Sequence, residues 1–344
     1  MKLVLENIGM LEKAEVKLDG LTVIAGENDT GKSTVGKALM AVNLAHNSIN
    51  SKSSNFHQDR NNAFHYFMGL IFDNQMATLF TNESKIILSN TTRTLYEVTM
   101  VNGTINYNHN SITQDPDRPC HDFIFIQTPF VWDLVDFFNS INYARSQVEI
   151  FKQNMNLSYP FLLWEIYGKL IKQREFSPKN LALIEYAKKI IDGEFRKDSF
   201  GRYYFSRQNK NGFENKFALM NVAQGIKYIG LIQALLNNSY LNNDFLIIDE
   251  PENHLHPKWQ LEFAKLIVEI AKLNNRVLVN SHSPYMIEAL QRYSGLKGMK
   301  EKTNFYLAKQ GIIEDKSSLG EIFEQLSEPF DTFDEMDKEI LLDG

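Results

Sequence analysis

The chain has 344 residues, of which 43% are hydrophobic and 23% charged, and its formal net charge is −6. This composition is typical of a globular protein with one large domain and a lobe, or with two domains, and the negative charge does not indicate nucleic-acid binding through bulk charge. The one cysteine, Cys120, excludes an intrachain disulfide and fits a reducing cytoplasm, and the sequence contains neither a signal peptide nor an apolar run long enough to span a membrane.

The first predicted elements are short strands at residues 2–5, 14–18 and 21–25. The third strand leads directly into Gly-Glu-Asn-Asp-Thr-Gly-Lys-Ser-Thr, and a helix is predicted to follow through about residue 46. This loop has the pattern Gly-x4-Gly-Lys-Ser of a phosphate-binding P-loop, in the strand–loop–helix context that the motif requires. A glycine-rich turn with a solvated lysine is the alternative interpretation.

The chemistry of the P-loop depends on its glycines, its lysine and its serine. The glycines let successive backbone N–H groups converge on phosphate oxygens, and the start of the helix adds a favourable dipole. Lys32 is predicted to reach the β- and γ-phosphates, and the Ser33 hydroxyl to bind Mg²⁺. The residues predicted to bind the nucleotide here are Gly26, Asn28, Asp29, Thr30, Gly31, Lys32, Ser33 and Thr34.

The next region is predicted to contain a helix and an antiparallel β meander. The helix covers about residues 63–79, and the three strands cover residues 85–89, 95–101 and 104–107. A buried strand at Phe123–Ile126 then ends at Gln127. The amide oxygen of a glutamine at this position is a candidate for contact with Mg²⁺ and the attacking water, although a surface glutamine is the alternative.

Residues 129–197 are predicted to form a helical lobe inserted into the α/β body. Its helices are expected at residues 131–151, 161–172 and 180–191. The lobe is the most basic part of the chain because it carries Lys169, Lys172, Arg174, Lys179, Lys188 and Lys189. These charges indicate either solvated helix faces or a docking surface for nucleic acid or an acidic partner.

A second candidate anion site follows two strands that are predicted, at residues 203–207 and 216–220, to return to the body. Ala223, Gln224 and Gly225 would place small or polar groups and free N–H groups at the start of a helix. Such a site makes sense if it covers the γ-phosphate bound by another subunit. An ordinary helix start packed in the core is the alternative.

Two adjacent carboxylates end the buried strand at residues 245–248, where Asp249 and Glu250 are followed by a proline. Such a strand delivers them to the carboxyl edge of a parallel sheet, where open α/β folds bind ligands. Asp249 is predicted to hold Mg²⁺, and Glu250 to position or deprotonate a water molecule. His282 ends a strand at residues 276–280 and is expected at the same edge, where it could bond to the γ-phosphate.

The remaining sequence predicts a helix at residues 258–273, a strand pair at 304–308 and 311–314, and an acidic amphipathic tail. The division we expect is an α/β body at residues 1–128 and 198–310, a helical lobe at 129–197 and a tail at 311–344. Two hydrolase alternatives are weak. A metal site would need Asp249, Glu252, His254 and His256, and a serine hydrolase at residues 281–283 would lack a nucleophile elbow.

The order of these motifs resembles that of the ABC-type ATPases. The resemblance covers about residues 1–46, 120–128 and 216–290. Two segments make this resemblance more specific. They are Asp-Glu-Pro-Glu-Asn-His-Leu-His-Pro, which begins at Asp249, and Asn-Ser-His-Ser-Pro, which contains His282. They are similar to the branch that includes the SMC-like DNA repair ATPases, the OLD family, and the AAA-family ATPase subunits of Septu and retron phage-defence systems.

The resemblance implies a P-loop ABC-ATPase head of the α/β class, with a mixed and largely parallel sheet flanked by helices, an antiparallel β subdomain and an inserted helical lobe. It implies ATP and Mg²⁺ as ligands. Gln127 would be the Q-loop residue, Asp249 the Walker B ligand of Mg²⁺, Glu250 the catalytic base and His282 the switch histidine.

The resemblance also implies a head-to-tail dimer in which each P-loop is covered by the partner's signature segment. That segment contains Ala223, Gln224, Gly225 and Lys227 here, and it departs from the family pattern because it has one glycine and no hydroxyl. Residues 253–256 resemble the D-loop that crosses the dimer seam. The residues of this loop predicted to contact nucleotide are Asn253 and His256.

The leading functional expectation is a cytoplasmic ATPase switch that dimerises on ATP and controls a separately encoded effector, a nuclease, in phage defence. The interval between Gln127 and Gly225 is too short for an SMC-type coiled coil, and no nuclease domain of the OLD type follows His282. The alternatives are an SMC-like DNA-binding repair ATPase and, less well supported, the nucleotide-binding subunit of a transporter.

Overall fold

The computed structural model describes residues 1–344 apart from 52–53, 55–58, 74–75, 91, 102–103, 110–121, 152–159, 317–318, 327–335 and 337–344. Cys120 and most of the predicted acidic tail therefore lie outside the described residues. Among the described residues, no helix is both long enough and apolar enough to cross a membrane.

Fourteen strands are found in the described part of the chain. They are β1 (Lys2–Ile8), β2 (Leu11–Lys17), β3 (Leu21–Ala25), β4 (Phe80–Ser89), β5 (Thr94–Val101), β6 (Thr104–His109), β7 (Phe123–Ile126), β8 (Glu194–Lys197), β9 (Tyr203–Gln208), β10 (Glu214–Phe217), β11 (Phe245–Asp249), β12 (Arg276–Ser281), β13 (Thr303–Lys309) and β14 (Ile312–Asp315).

The α-helices flank these strands. They are α1 (Lys32–Asn50), α2 (Arg60–Ile71), α3 (Met76–Leu79), α4 (Val135–Phe151), α5 (Phe161–Ile171), α6 (Leu181–Ile191), α7 (Gln224–Asn237), α8 (Pro257–Lys272) and α9 (Pro284–Leu296). Residues 320–326 are also helical, and α4 is preceded by a 3₁₀ turn at Pro129–Leu134.

Eleven strands form one sheet in the order β6-β5-β4-β1-β2-β14-β13-β3-β12-β11-β7. Strands β13, β3, β12, β11 and β7 are mutually parallel, as expected for the part of an α/β fold that carries a nucleotide site. Strands β4, β5 and β6 form the predicted antiparallel meander. The meander continues the main sheet through β1, so the fold is an α/β body with one mixed sheet.

Both faces of the parallel half are covered, because alternate residues of its strands enter two different hydrophobic clusters. In β11, Leu246 and Ile248 pack with residues of α7, α8 and α9, whereas Phe245 and Ile247 pack with residues of α1 and α2. All five residues of β11 are buried. A strand buried on both faces needs the continuous apolar run that this segment has.

The strands at residues 203–208 and 214–217 differ from the prediction that they return to the main body. With β8, which the sequence analysis did not predict, they form a separate three-stranded antiparallel sheet in the order β10-β9-β8. This sheet packs on α7 because Phe195 of β8 fills the space above Gly230 of that helix. The pairing of β8 with β9 crosses the domain boundary that we expect at residue 198. That boundary remains a proposal.

Candidate functional site

The P-loop connects β3 to α1 with a backbone that only certain residues adopt readily. Gly26 and Gly31 have φ angles of 153° and 86°, and Asp29 has a φ angle of 65°. A Cβ atom on Gly26 would lie 2.4 Å from the carbonyl oxygen of Ala308, so glycine is required there for close packing against β13 as well as for its φ angle. The chain therefore turns tightly between strand and helix, as phosphate binding requires.

The first turn of α1 offers backbone donors and a buried ammonium group. Gly31 is the N-cap and has no side-chain cap bond. Lys32 is 4% exposed, and its Nζ donates to the carbonyl oxygens of Gly26, at 2.9 Å, and Glu27. Burial lowers the pKa of Lys32, and the nearby carboxylates of Glu250 and Asp249 oppose this effect. Thr30 bonds to Glu27, while Asn28 is exposed at the tip of the loop.

Asp249 joins the P-loop to the end of β11. Its Oδ1 accepts hydrogen bonds from Ser33 Oγ at 3.1 Å and from Asn280 Nδ2 at 2.8 Å. Burial raises the pKa of Asp249, and the bonds from Asn280 and Ser33 oppose this effect. A hydroxyl and a carboxylate in contact are the hard oxygen ligands that Mg²⁺ prefers. The arrangement therefore fits the predicted metal site.

Glu250 and His282 lie side by side at the same sheet edge. His282 Nδ1 is 3.7 Å from Glu250 Oε1, and Asn253 Nδ2 donates to Glu250 Oε2 at 2.9 Å. Glu250 itself has a φ angle of 50°, in the left-handed region. Non-glycine residues in that region carry a cost of about 1–3 kcal/mol and cluster at functional sites. The left-handed backbone at Glu250 ends the extended conformation of β11.

Gln127 is exposed immediately after β7, which pairs in parallel with β11. It therefore lies at the same edge as Asp249, as the sequence predicts. Thr34 follows in the first turn of α1, where its N–H donates to the carbonyl oxygen of Gly31 at 3.1 Å. The structure thus brings together the P-loop, both carboxylates, Gln127 and His282, and their chemical roles remain predictions.

The predicted signature segment begins α7. Ala223 is exposed at the N-cap, Gln224 is half-buried, and Gly225 is buried. A Cβ atom on Gly225 would lie 2.9 Å from the carbonyl oxygen of His254, so the segment packs against residues 253–256. His256 is exposed and its Nδ1 accepts from the N–H of Lys258 at 3.3 Å. The two segments predicted to lie at the dimer seam are neighbours within one chain.

The structure corrects the prediction for Lys227. We expected it to contact a partner's nucleotide, but it is 1% exposed, and its Nζ donates to Asp133 Oδ1 at 2.5 Å. Its carbonyl oxygen accepts from Trp132 Nε1 at 2.9 Å. A buried ammonium group needs a partner, and Asp133 supplies it from within the same chain. Lys227 therefore connects α7 to the 3₁₀ turn that follows Gln127.

Two polar residues at the site were not among the predicted nucleotide contacts. Asn280 bonds to Asp249 from the end of β12, and Glu252 is buried beneath His282. The one signal in the sequence for Asn280 is a polar residue that ends an otherwise apolar run.

Within the described ranges, no group of three or more His, Cys, Asp or Glu side chains could hold a metal ion, so the structure does not support the alternative metal hydrolase.

The parallel sheet, the P-loop after β3 and the carboxylates after β11 define the P-loop ATPase class. Residues 21–288 match the family described as "AAA domain, putative AbiEii toxin, Type IV TA system". Because this match covers most of the chain, the protein belongs to that family.

Other comparisons give partial or distant similarity. A segment of 71 residues is 30% identical to an uncharacterized protein, MJ1542, of Methanocaldococcus jannaschii, and it spans 20% of this chain and 9% of that protein. The SMC head domain from Thermotoga maritima has a TM-score of 0.45 and 13% identity over 92% of this chain and 97% of that one. An ATP-binding cassette of an ABC transporter in its ADP conformation has a TM-score of 0.41 and 14% identity over 96% of each chain.

Proposed function

We propose that the protein is an ATP-binding and ATP-hydrolysing switch that dimerises around nucleotide and controls a separately encoded effector. The observation that carries this proposal is the 3.1 Å bond between Ser33 of the P-loop and Asp249 of β11, with Glu250 next in the chain. This bond supports the proposal because it joins the predicted phosphate-binding loop to the predicted Mg²⁺ ligand at one sheet edge, where Glu250 is the next residue.

Each residue of the site has a separate role in the proposed hydrolysis. Lys32 and the N–H groups of the P-loop hold the phosphates, and Ser33 and Asp249 would hold Mg²⁺, which neutralises phosphate charge. Among the described residues, Lys32 Nζ donates hydrogen bonds to backbone carbonyls alone, so its charge is available to a phosphate. Glu250 accepts the proton of the attacking water, and Gln127 orients that water. His282 donates to the γ-phosphate.

The dimer in this proposal is head-to-tail. Ala223, Gln224 and Gly225 of one chain cover the nucleotide of the other, and Asn253 and His256 approach it across the seam. What supports this arrangement is the contact between Gly225 and His254, which places both segments on one surface of the chain. Ala223 and His256 are exposed there, as an interface in the ATP-bound state requires.

The effector in this proposal is a nuclease that acts in phage defence in the cytoplasm. The family description names a toxin and a type IV toxin–antitoxin system, which fits a protein that works with a separately encoded partner. An SMC-like DNA-binding ATPase is the alternative. That alternative requires a basic surface for DNA. Three basic residues of the helical region, Lys169, Arg174 and Lys188, instead form ion pairs with Asp122, Asp244 and Glu194.

The test is nucleotide binding and hydrolysis by the wild type and two variants. Lys32→Ala removes the charge that faces the phosphates and is expected to weaken ATP binding roughly 10–100-fold. Glu250→Gln is expected to bind ATP normally and to lower kcat about 100-fold or more, because a general base contributes at least that factor. Lys189→Ala and Glu185→Gln, both on exposed positions of α6, are the matched controls.

Light scattering with ATP shows whether Glu250→Gln forms dimers and Lys32→Ala stays monomeric. Hydrolysis by Glu250→Gln at the wild-type rate would contradict the assignment of the base. Affinity purification with ATP distinguishes an effector nuclease from DNA as the partner of the protein. Recovery of a nuclease supports the proposed switch, whereas ATP-dependent and salt-sensitive DNA binding by the isolated chain supports the alternative.

A further inference from the structure

Glu252 is a buried carboxylate that the proposed reaction does not use. It follows Pro251 in the turn after β11 and is 5% exposed. A buried carboxylate is unfavourable unless donors or opposite charge surround it. Its contacts therefore show what it does.

One oxygen of Glu252 holds the turn between β12 and α9. Oε1 accepts hydrogen bonds from Ser281 Oγ at 2.9 Å, from the N–H of His282 at 2.7 Å and from the N–H of Ser283 at 3.1 Å. His282 is thus enclosed on both sides by groups bonded to a single carboxylate oxygen. The backbone on both sides of the His282 side chain is therefore bonded to Glu252.

The ring of His282 also faces this carboxylate. Nδ1 lies 3.2 Å from Glu252 Oε1, which is closer than the 3.7 Å to Glu250 Oε1. Nδ1 and Glu252 Oε2 are both buried, and neither has a hydrogen-bond partner among the described residues. The His282 side chain is nevertheless 38% exposed, so its exposed surface belongs to the other ring atoms. Nε2 is the ring nitrogen left to contact a phosphate oxygen.

We propose that Glu252 is a positioning residue for His282: the carboxylate of Glu252, beside Nδ1, fixes the ring so that Nε2 meets the γ-phosphate. This inference rests on the proposed ATPase function. A carboxylate beside one ring nitrogen of a histidine fixes the orientation of the ring, as in other carboxylate–histidine pairs. Glu250 then remains free to act on water.

The charged form of Glu252 is destabilised by its burial. Burial raises the pKa of Glu252, while backbone N–H donors and the nearby imidazole of His282 oppose this effect. A glutamine at residue 252 would accept the same bonds from Ser281 and Ser283 without the burial of a charge. The charge is therefore the property that distinguishes the proposed role from a purely structural one.

The test compares Glu252→Gln, His282→Ala and the double variant with the wild type. Glu252→Gln keeps an oxygen acceptor for the turn and removes the charge that faces Nδ1. We expect kcat to fall about tenfold or more, the factor typical of lost positioning partners. ADP affinity should stay unchanged and the ratio of ATP to ADP affinity should fall, because only ATP has the γ-phosphate.

In the double variant we expect no loss of kcat beyond that of His282→Ala, because Glu252 acts through His282. Glu252→Asp keeps the charge near Nδ1 and should restore part of the kcat lost in Glu252→Gln. The matched control is Glu288→Gln, which removes a carboxylate of α9 that pairs with Arg292 on the helix surface. It should retain the wild-type kcat.

Four outcomes would overturn the inference. A kcat of Glu252→Gln within twofold of the wild type, or losses in the two single variants that multiply in the double variant, would show that Glu252 does not act through His282. A parallel loss of ADP affinity would assign Glu252 to the structure of the turn alone. A wild type that binds no ATP would instead overturn the proposed function, and this inference with it.

Discussion

Lys227 shows how the position of a single residue can mislead a motif-based prediction. It lies in the signature segment, yet its charge points into the chain and pairs with Asp133, whose side chain is 21% exposed. Trp132, the neighbour of Asp133, bonds to the backbone of the same lysine. Two adjacent residues after Gln127 therefore contact one residue of α7, and the segments expected to contact the two different nucleotides of a dimer are physically joined.

Removal of the Asp133 carboxylate tests whether this pair stabilises the fold. Asp133→Ala leaves a buried ammonium group without its partner, and we expect a loss of roughly 2–3 kcal/mol in the free energy of unfolding. Asp136→Ala, at an exposed position near the start of α4, is the control and should change stability by less than about 0.5 kcal/mol. Chemical denaturation measures both. Equal stability of the two variants would show that Lys227 finds another partner.

At the scale of elements, α1 must approach the sheet closely if the P-loop is to meet Asp249. Gly36 of α1 makes this possible, because a Cβ atom there would lie 2.7 Å from both Ile247 of β11 and Phe125 of β7. The backbone of Gly36 has no positive φ angle, so the requirement is purely one of space.

Gly36→Ala tests this close approach. The added methyl group has no room, and we expect the free energy of unfolding to fall by about 1–3 kcal/mol. Gly168→Ala in α5 is the matched control, because no atom lies within 4 Å of the new Cβ. Alanine favours a helix by up to about 1 kcal/mol relative to glycine, so this control should become more stable. A Gly36→Ala variant as stable as the control would show that α1 shifts without penalty.

The sequence predicted the elements that are buried on both faces better than those that are not. Strands β7 and β11 contain uninterrupted apolar runs, and β3 is apolar except for Thr22. The positions of all three were predicted within one residue. Strand β8 was missed because Glu-Phe-Arg-Lys has one buried residue and no alternating pattern. The position of Lys227 could not be predicted either, since Asp133 comes from a distant part of the sequence and no local pattern links them.

At the scale of the whole molecule, a network of charges ties the helical region to the start of the parallel sheet. Arg174 bonds to both carboxylate oxygens of Asp244 and to Asp122, and Lys169 also pairs with Asp122. Asp244 immediately precedes β11, and its side chain is completely buried. Burial raises the pKa of Asp244, and the guanidinium of Arg174 opposes this effect.

Arg174→Ala should therefore destabilise the whole chain. It leaves the Asp244 carboxylate buried without its main partner, and we expect a loss of roughly 3 kcal/mol in the free energy of unfolding. Lys172→Ala, at an exposed position between α5 and Arg174, is the control and should have little effect. If the network joins the parts into one unit, thermal unfolding of Arg174→Ala keeps a single transition at a lower temperature. An unchanged midpoint would contradict this role.

The order of strands in the sheet also affects when the protein can first fold during its synthesis. Strand β3, which leads into the P-loop, lies between β12 and β13, and the nearer of these in sequence begins only at Arg276. A ribosome that adds about 5–20 residues per second needs on the order of tens of seconds to reach that point. Until then β3 has neither neighbour, and its apolar residues depend on other parts of the nascent chain for cover. The newly made protein therefore completes the proposed nucleotide site among the last features to form. If the proposed function is correct, an unfinished chain is not expected to bind ATP.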